Sequence, residues 1–186
     1  MNALIIVDVQ YDFLPGGALA VADGDAIISI INSIRDRFDM TLFTQDYHPV
    51  NHCSFKVNGG IWPVHCVEAT HGATIHTDLL RKNDIIVKKG VNTTIDSYSG
   101  FYDNERKTKT DLDSILKQNN VDTVHICGLA TDYCVKYTAI DAVREGYKTI
   151  LVKDACRGVN LNPGDVDNAI VEMQQHGVEI LTHWDV

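Results

Sequence analysis

The chain has 186 residues, with 16 Lys and Arg against 25 Asp and Glu, so its formal net charge is −9 with histidine neutral. Hydrophobic residues make up 45% and charged residues 22%, a balance that lets a chain of this length bury a full core and excludes disordered and collagen-like classes. An acidic chain with no Lys/Arg run is repelled by phosphate backbones and anionic lipid, so no nucleic-acid or membrane role is expected and a small-molecule partner is favoured.

Residues 3–8 read as a buried strand, because Leu4, Ile5, Ile6 and Val7 form an unbroken apolar run of the kind found in sheets covered on both faces. No basic leader precedes that run, and Asp8 stops it well short of a signal or membrane span, so a cytoplasmic location is expected. Pro15-Gly16-Gly17 breaks the chain, and then Ile27, Ile31, Ile34 and Phe38 recur at helical spacing behind Asp23 and Asp25 as caps. Residues 40–44 return to strand. Residues 45–83 show little periodicity and hold five of the eight histidines. In a compact domain a loop longer than about 15 residues is functional or disordered, and the histidines favour function.

Beyond it come a strand at 85–87, a helix at 111–118 and a strand at 123–127. Thr131 or Asp132 can cap a helix running to Glu145 and ended by Gly146. A strand at 149–152, a helix at 165–176 stopped by Gly177, and a strand at 178–181 close the set. Strands alternating with helices imply parallel pairing through right-handed crossovers. The fold expected is a three-layer α/β/α sandwich with a mainly parallel, Rossmann-like sheet of about six strands, in a single domain over 1–186. The five cysteines, at 53, 66, 127, 134 and 156, include no CxxC pair and fit reduced thiols better than a disulfide framework.

In open α/β sheets ligands bind at the carboxyl ends of the strands, and four such ends carry reactive side chains. Asp8 ends the first strand inside an apolar run, where an ionised carboxylate needs a partner or a raised pKa. Lys89 ends the third, placed to face either the cleft or water. Cys134 falls in the first turn of a predicted helix, where free amides and the helix dipole favour a nucleophilic thiolate; the alternative is a buried thiol acting as a small hydrophobe, which suits Cys127. A Lys near both a carboxylate and a thiol would support Cys-based catalysis. Asp46-x-His48 puts two ligand-type side chains two residues apart, on one face if the strand continues, with His52 and His65 following and His71 and His76 competing, a set suited to a divalent ion.

Seven segments occur together in order. They are Ala3-Leu4-Ile5-Ile6-Val7-Asp8-Val9-Gln10 with Asp12-Phe13, Gln45-Asp46-Tyr47-His48, His52-Cys53-Ser54-Phe55, Trp62-Pro63-Val64-His65-Cys66, Lys89-Gly90, Tyr98-Ser99-Gly100-Phe101 and Gly128-Leu129-Ala130-Thr131-Asp132-Tyr133-Cys134-Val135. In these the chain resembles, over nearly its whole length, the nicotinamidases of the isochorismatase-like cysteine hydrolases. The resemblance implies Cys134 as nucleophile, Asp8 as the base that takes its proton and later passes one to departing ammonia, and Lys89 as the cation holding both. It also implies a cis Leu129–Ala130 peptide, with the amides of Ala130 and Cys134 as an oxyanion hole. Asp46, His48, His52 and His65 would bind one divalent metal, Zn²⁺ first with Fe²⁺ or Mn²⁺ as alternatives, to orient the ring nitrogen. Phe13, Trp62 and Tyr98 would wall the ring. The implied reaction is hydrolysis of nicotinamide to nicotinate and ammonia, a step of NAD salvage, with pyrazinamide as a further substrate. Tyr133 departs from other members and leaves fine preference open. Three other readings stay open: attack by a metal-bound hydroxide, a carbamoyl or ureido substrate, and a non-catalytic metal-binding protein that keeps the fold. Homo-oligomerisation is also open.

Overall fold

In the computed structural model, which describes residues 1–186, the N-terminal apolar run forms β1 (Asn2–Val7), and every residue from Ala3 to Val7 is fully shielded from water. Burial of each large side chain in that run contributes roughly 1.5–3 kcal/mol, which is why the strand sits at the centre of the sheet. Five further strands join it: β2 (Met40–Asp46), β3 (Ile85–Lys89), β4 (Thr123–Leu129), β5 (Lys148–Arg157) and β6 (Glu179–Leu181). All pair in parallel, in the order β3-β2-β1-β4-β5-β6. Four helices accompany them: α1 (Ile27–Ile34), α2 (Leu112–Gln118), α3 (Lys136–Arg144) and α4 (Asp165–Gln175). The chain steps one way from β1 to β3 and the other way from β4 to β6, so right-handed crossovers put α1 and α3 on opposite faces. This is the expected layered α/β fold. It leaves a topological switch point between β1 and β4, where such sheets bind ligands.

The structure departs from the sequence reading at particular places. β2 extends to Asp46, because Gln45 and Asp46 pair with Lys88 and Lys89 of β3 although neither is apolar. β5 runs on to Arg157, past a bulge against β4 between Ile126 and Gly128. Asp23 and Asp25 do not cap α1; Asp23 is left-handed (φ 53°), a 3₁₀ turn over Gly24–Ala26 leads into the helix, and Phe38 lies beyond a second such turn at Arg35–Arg37. No side chain caps the segment before α3 either. Thr131–Val135 forms a wide π-type turn broken at Tyr133 (φ −126°, ψ −105°), and α3 starts only at Lys136. Residues 45–83 are irregular beyond the end of β2 apart from short 3₁₀ turns, and a second irregular stretch, 90–111, follows β3.

Candidate active site

Register assembles the site. Val7 of β1 lies beside Thr44 of β2 and Gly128 of β4, so the next residue, Asp8, leaves the sheet between its two neighbouring strands. Gly128 is required there, because a Cβ on it would lie 2.1 Å from the Val7 carbonyl oxygen. Asp46 at the end of β2 is the register partner of Lys89 at the end of β3. Lys89 is 1% exposed, and its Nζ reaches Asp46 Oδ1 at 2.5 Å, Asp8 Oδ2 at 2.9 Å, the Ser97 carbonyl at 2.9 Å and Cys134 Sγ at 3.4 Å. The Thr44 hydroxyl donates to Asp8 Oδ1 at 2.6 Å. Asp8 Oδ2 meets Lys89 as an ion pair badly angled for a hydrogen bond, which leaves that oxygen room for the thiol proton.

Burial dominates the electrostatics. It pushes the Cys134 thiol well above its ordinary range, against the pull of Lys89, and the neighbouring Asp8 charge pushes the same way. Asp8 is also raised, mainly by burial, with Lys89 pulling it back. Desolvation opposes the Lys89 charge, yet Asp46 and Asp8 more than offset it and the ammonium holds its proton far more tightly than usual. Burial likewise opposes charge on Asp46, but Lys89 and His48 hold it well below the usual carboxylate range. The expectation of a helix-end thiolate loses its premise here: the segment around Cys134 is a kinked turn, not a helix end, and burial pushes the thiol up. Enclosure favours the protonated form of both groups, and Lys89 opposes it at both.

Next to this cluster, ligand atoms of Asp46, His48 and His65 lie within 4.8 Å of one another. His52 does not join that trio directly; it forms a second group with His48 and Asp96 at the same spacing. The Nδ1 atoms of His48 and His65 donate to the carbonyls of Gly90 (2.8 Å) and Pro63 (2.7 Å), which leaves each Nε2 with a lone pair. His52 Nδ1 sits 2.8 Å from the Ser54 hydroxyl, and its Nε2 is buried with no partner at all. An orphaned buried nitrogen beside two imidazoles and a carboxylate fits a divalent ion of the zinc or iron kind. Gly90 makes the cradle, since a Cβ there would press to 2.4 Å from His48 Cε1. His71 and His76 instead pack on Tyr11, with ring centroids 4.1 and 5.0 Å away.

Cys134 opens onto a cavity of about 410 Å³, counting the space at its mouth. Phe13, Trp62 and Tyr98 all line it, with Ala130, Asp46 and His65. Trp62 Nε1 donates to the Tyr98 hydroxyl at 3.0 Å, which fixes both rings. The Leu129–Ala130 peptide is cis. Tyr133, the residue tied above to fine preference, lines it too, and so do Leu19, Val21, Val159 and Asp96, which the sequence does not mark as site residues. Leu19, Val21 and Val159 gave no signal, being ordinary apolar residues in loops; Asp96 stood seven residues past Lys89, just before the Tyr98 motif, and could have been weighed as a ligand.

A parallel sheet with a thiol, a carboxylate and an ammonium converging at its switch point is the arrangement of a layered α/β enzyme. The isochorismatase domain matches residues 2–185, and the chain belongs to the isochorismatase family. Among its relatives, the nicotinamidase of Escherichia coli is 42% identical over 201 residues, spanning 97% of this chain and 94% of that one. The structure of an Acinetobacter baumanii nicotinamidase and pyrazinamidase superposes with a TM-score of 0.95 at 43% identity, covering 99% of this chain and 97% of the other. The Pyrococcus horikoshii pyrazinamidase, solved in complex with zinc, gives a TM-score of 0.88 at 42% identity, covering 97% and 98%.

Proposed function

We propose that this chain is a nicotinamidase that hydrolyses nicotinamide to nicotinate and ammonia through a thioester on Cys134, with pyrazinamide as a further substrate. The observation that carries the reading is one ammonium, Lys89 Nζ, within 3.4 Å of Cys134 Sγ and 2.9 Å of Asp8, at the wall of an aromatic-lined cavity. The amidase names of the relatives support the same chemistry.

Asp8 takes the Cys134 proton as sulfur attacks the carboxamide carbon. A buried thiol with a raised pKa needs such a partner, and Lys89 offsets the charge on whichever of the two is negative. The amides of Ala130 and Cys134 receive the oxyanion; the Ala130 N–H donates to no acceptor within the protein and is free to do so. Asp8 then returns its proton to the departing ammonia and the thioester remains. Water attacks that thioester, Asp8 takes a proton from it, nicotinate leaves, and the sulfur is reprotonated. Asp46, His48 and His65, with His52 beside them, would hold a divalent ion, Zn²⁺ by preference. Such an ion would supply Lewis-acid binding of the pyridine nitrogen. Phe13, Trp62 and Tyr98 wall the flat ring.

The reading assigns one catalytic domain over 1–186, supported by a sheet that takes strands from both halves of the chain. It assigns the cytoplasm as compartment, supported by five free cysteines. No helix is long and apolar enough to cross a membrane. The decisive test is Cys134→Ala in zinc-loaded protein. Ammonia release from nicotinamide should fall by roughly a thousandfold or more with zinc content unchanged. Turnover within about tenfold of the unmodified protein would refute the nucleophile and favour direct attack by hydroxide.

A further inference from the structure

Asp132 is buried at 6% exposure, two residues before Cys134, yet its carboxylate serves neither the nucleophile nor a helix cap. Its Oδ1 accepts the Val159 N–H at 2.9 Å and its Oδ2 accepts the Asn160 N–H at 2.7 Å. Those two amides belong to the turn that follows β5, and the side chain of Val159 lines the cavity beside Tyr133 and Cys134. The turn is shaped for this contact. Asn160 is left-handed (φ 52°), and a Cβ on Gly158 would come within 3.0 Å of Asp132 Oδ1 and 2.2 Å of a Val166 methyl. From the other side the Val166 N–H reaches Asn160 Oδ1 at 3.4 Å, so the turn is held between the nucleophile segment and the start of α4.

We propose that Asp132 is a positioning residue that clamps the 158–160 turn against the nucleophile segment, and that Val159, so held, limits which ring substituents the slot accepts. The specificity half rests on the nicotinamidase reading above. A carboxylate suits the task because two adjacent N–H donors converge on one group that only accepts. The carboxamide of Asn offers a single acceptor oxygen, so Asp132→Asn turns an NH₂ toward one of the two part-buried N–H groups and loosens the turn. Val159 then leaves a wall that also includes Phe13, Leu19 and Val21, and the slot widens.

Two measurements test this. Hydrogen exchange read by mass spectrometry, which needs no turnover, should show the amides of 158–160 exchanging about tenfold faster in Asp132→Asn than in the unmodified protein; unchanged exchange overturns the clamp. In parallel, kcat and KM are measured on nicotinamide and on nicotinamides methylated at each ring carbon. Val159→Ala should lower the preference for nicotinamide over at least one methylated analogue by about tenfold, the usual worth of one methyl in an apolar slot. Asp132→Asn should raise KM for nicotinamide, shift preference toward the same analogue, and keep kcat within about threefold. A lowered kcat with unchanged preference would make Asp132 a support of the nucleophile turn and overturn the proposal. If the unmodified protein hydrolyses none of the panel, the nicotinamidase reading and the specificity half fall together, while exchange still decides the clamp.

Discussion

Lys89 is the point at which stability and chemistry meet, so replacing it gives the sharpest test. Lys89→Met keeps the apolar stem and removes the cation, leaving Asp8 and Asp46, 0% and 5% exposed, facing each other across the space it filled. Breaking a buried ion pair on one side costs about 3–5 kcal/mol. For a chain of this size each kcal/mol moves Tm by about 2–4 °C, so Lys89→Met should melt about 6–20 °C lower. The loss must also depend on pH with a definite sign. Without the ammonium, burial and mutual repulsion raise both carboxylates, and a group whose folded pKa is raised loses its contribution as pH rises through that value. The variant should therefore lie nearer the unmodified protein at pH 5 than at pH 8. Calorimetry at the two pH values, on protein stripped of metal so that no ion neutralises Asp46, makes the measurement. A Tm drop that is the same at both, or larger at pH 5, would refute the account of Lys89 as the counter-ion of two buried carboxylates. Lys89→Gln, which keeps hydrogen bonding but not charge, should show the same pH trend.

Thr44→Val removes the only hydroxyl on Asp8 Oδ1 and should lower kcat/KM on nicotinamide by about tenfold, whereas Thr44→Ser should retain most of it, by steady-state kinetics. Gly90→Ala forces a Cβ onto the His48 ring and should weaken zinc binding at least tenfold in a competition titration with a chromophoric chelator, since loss of ligand support typically costs that much. Buried His125, with Nδ1 unpartnered and its pKa lowered by burial and by Lys148, holds the neutral form in the folded state. Its contribution is present above the unfolded histidine range and lost as pH falls below it, so His125→Phe should flatten the decline of Tm between pH 7 and pH 5.

Much of the fold was legible because it is written locally. The unbroken run Leu4 to Val7 means a strand covered on both faces, and helices form at 112–118 and at 165–175, the second with its stop at Gly177. What was not legible is where polar residues pair with strands. Gln45 and Asp46 extend β2 only because Lys88 and Lys89 lie alongside, a fact of register that no window of sequence contains. The turn at 131–135 misled for a related reason: Thr-Asp is a good cap in isolation, but here Asp132 is committed to amides 27 and 28 residues away.

The site divides along the same line. Asp8, Lys89 and Cys134 could be picked out because each ends or follows a strand, and a parallel sheet brings such ends together whatever their separation in sequence. Their protonation could not be read that way, because it depends on enclosure. A helix-end argument favours the thiolate, yet burial pushes the Cys134 thiol the other way, and the cavity wall around it is drawn from separate loops that carry Trp62, Tyr98 and Val159. The consequence is mechanistic. A thiolate formed in advance would need no base, and Asp8 could be reduced to a counter-charge; on the mechanism proposed above, a buried thiol requires Asp8 to remove its proton. Asp8→Asn should therefore abolish ammonia release and also slow alkylation of Cys134 by iodoacetamide at neutral pH. Alkylation at an undiminished rate would show that the sulfur is already ionised without Asp8, and that enclosure does not govern this site.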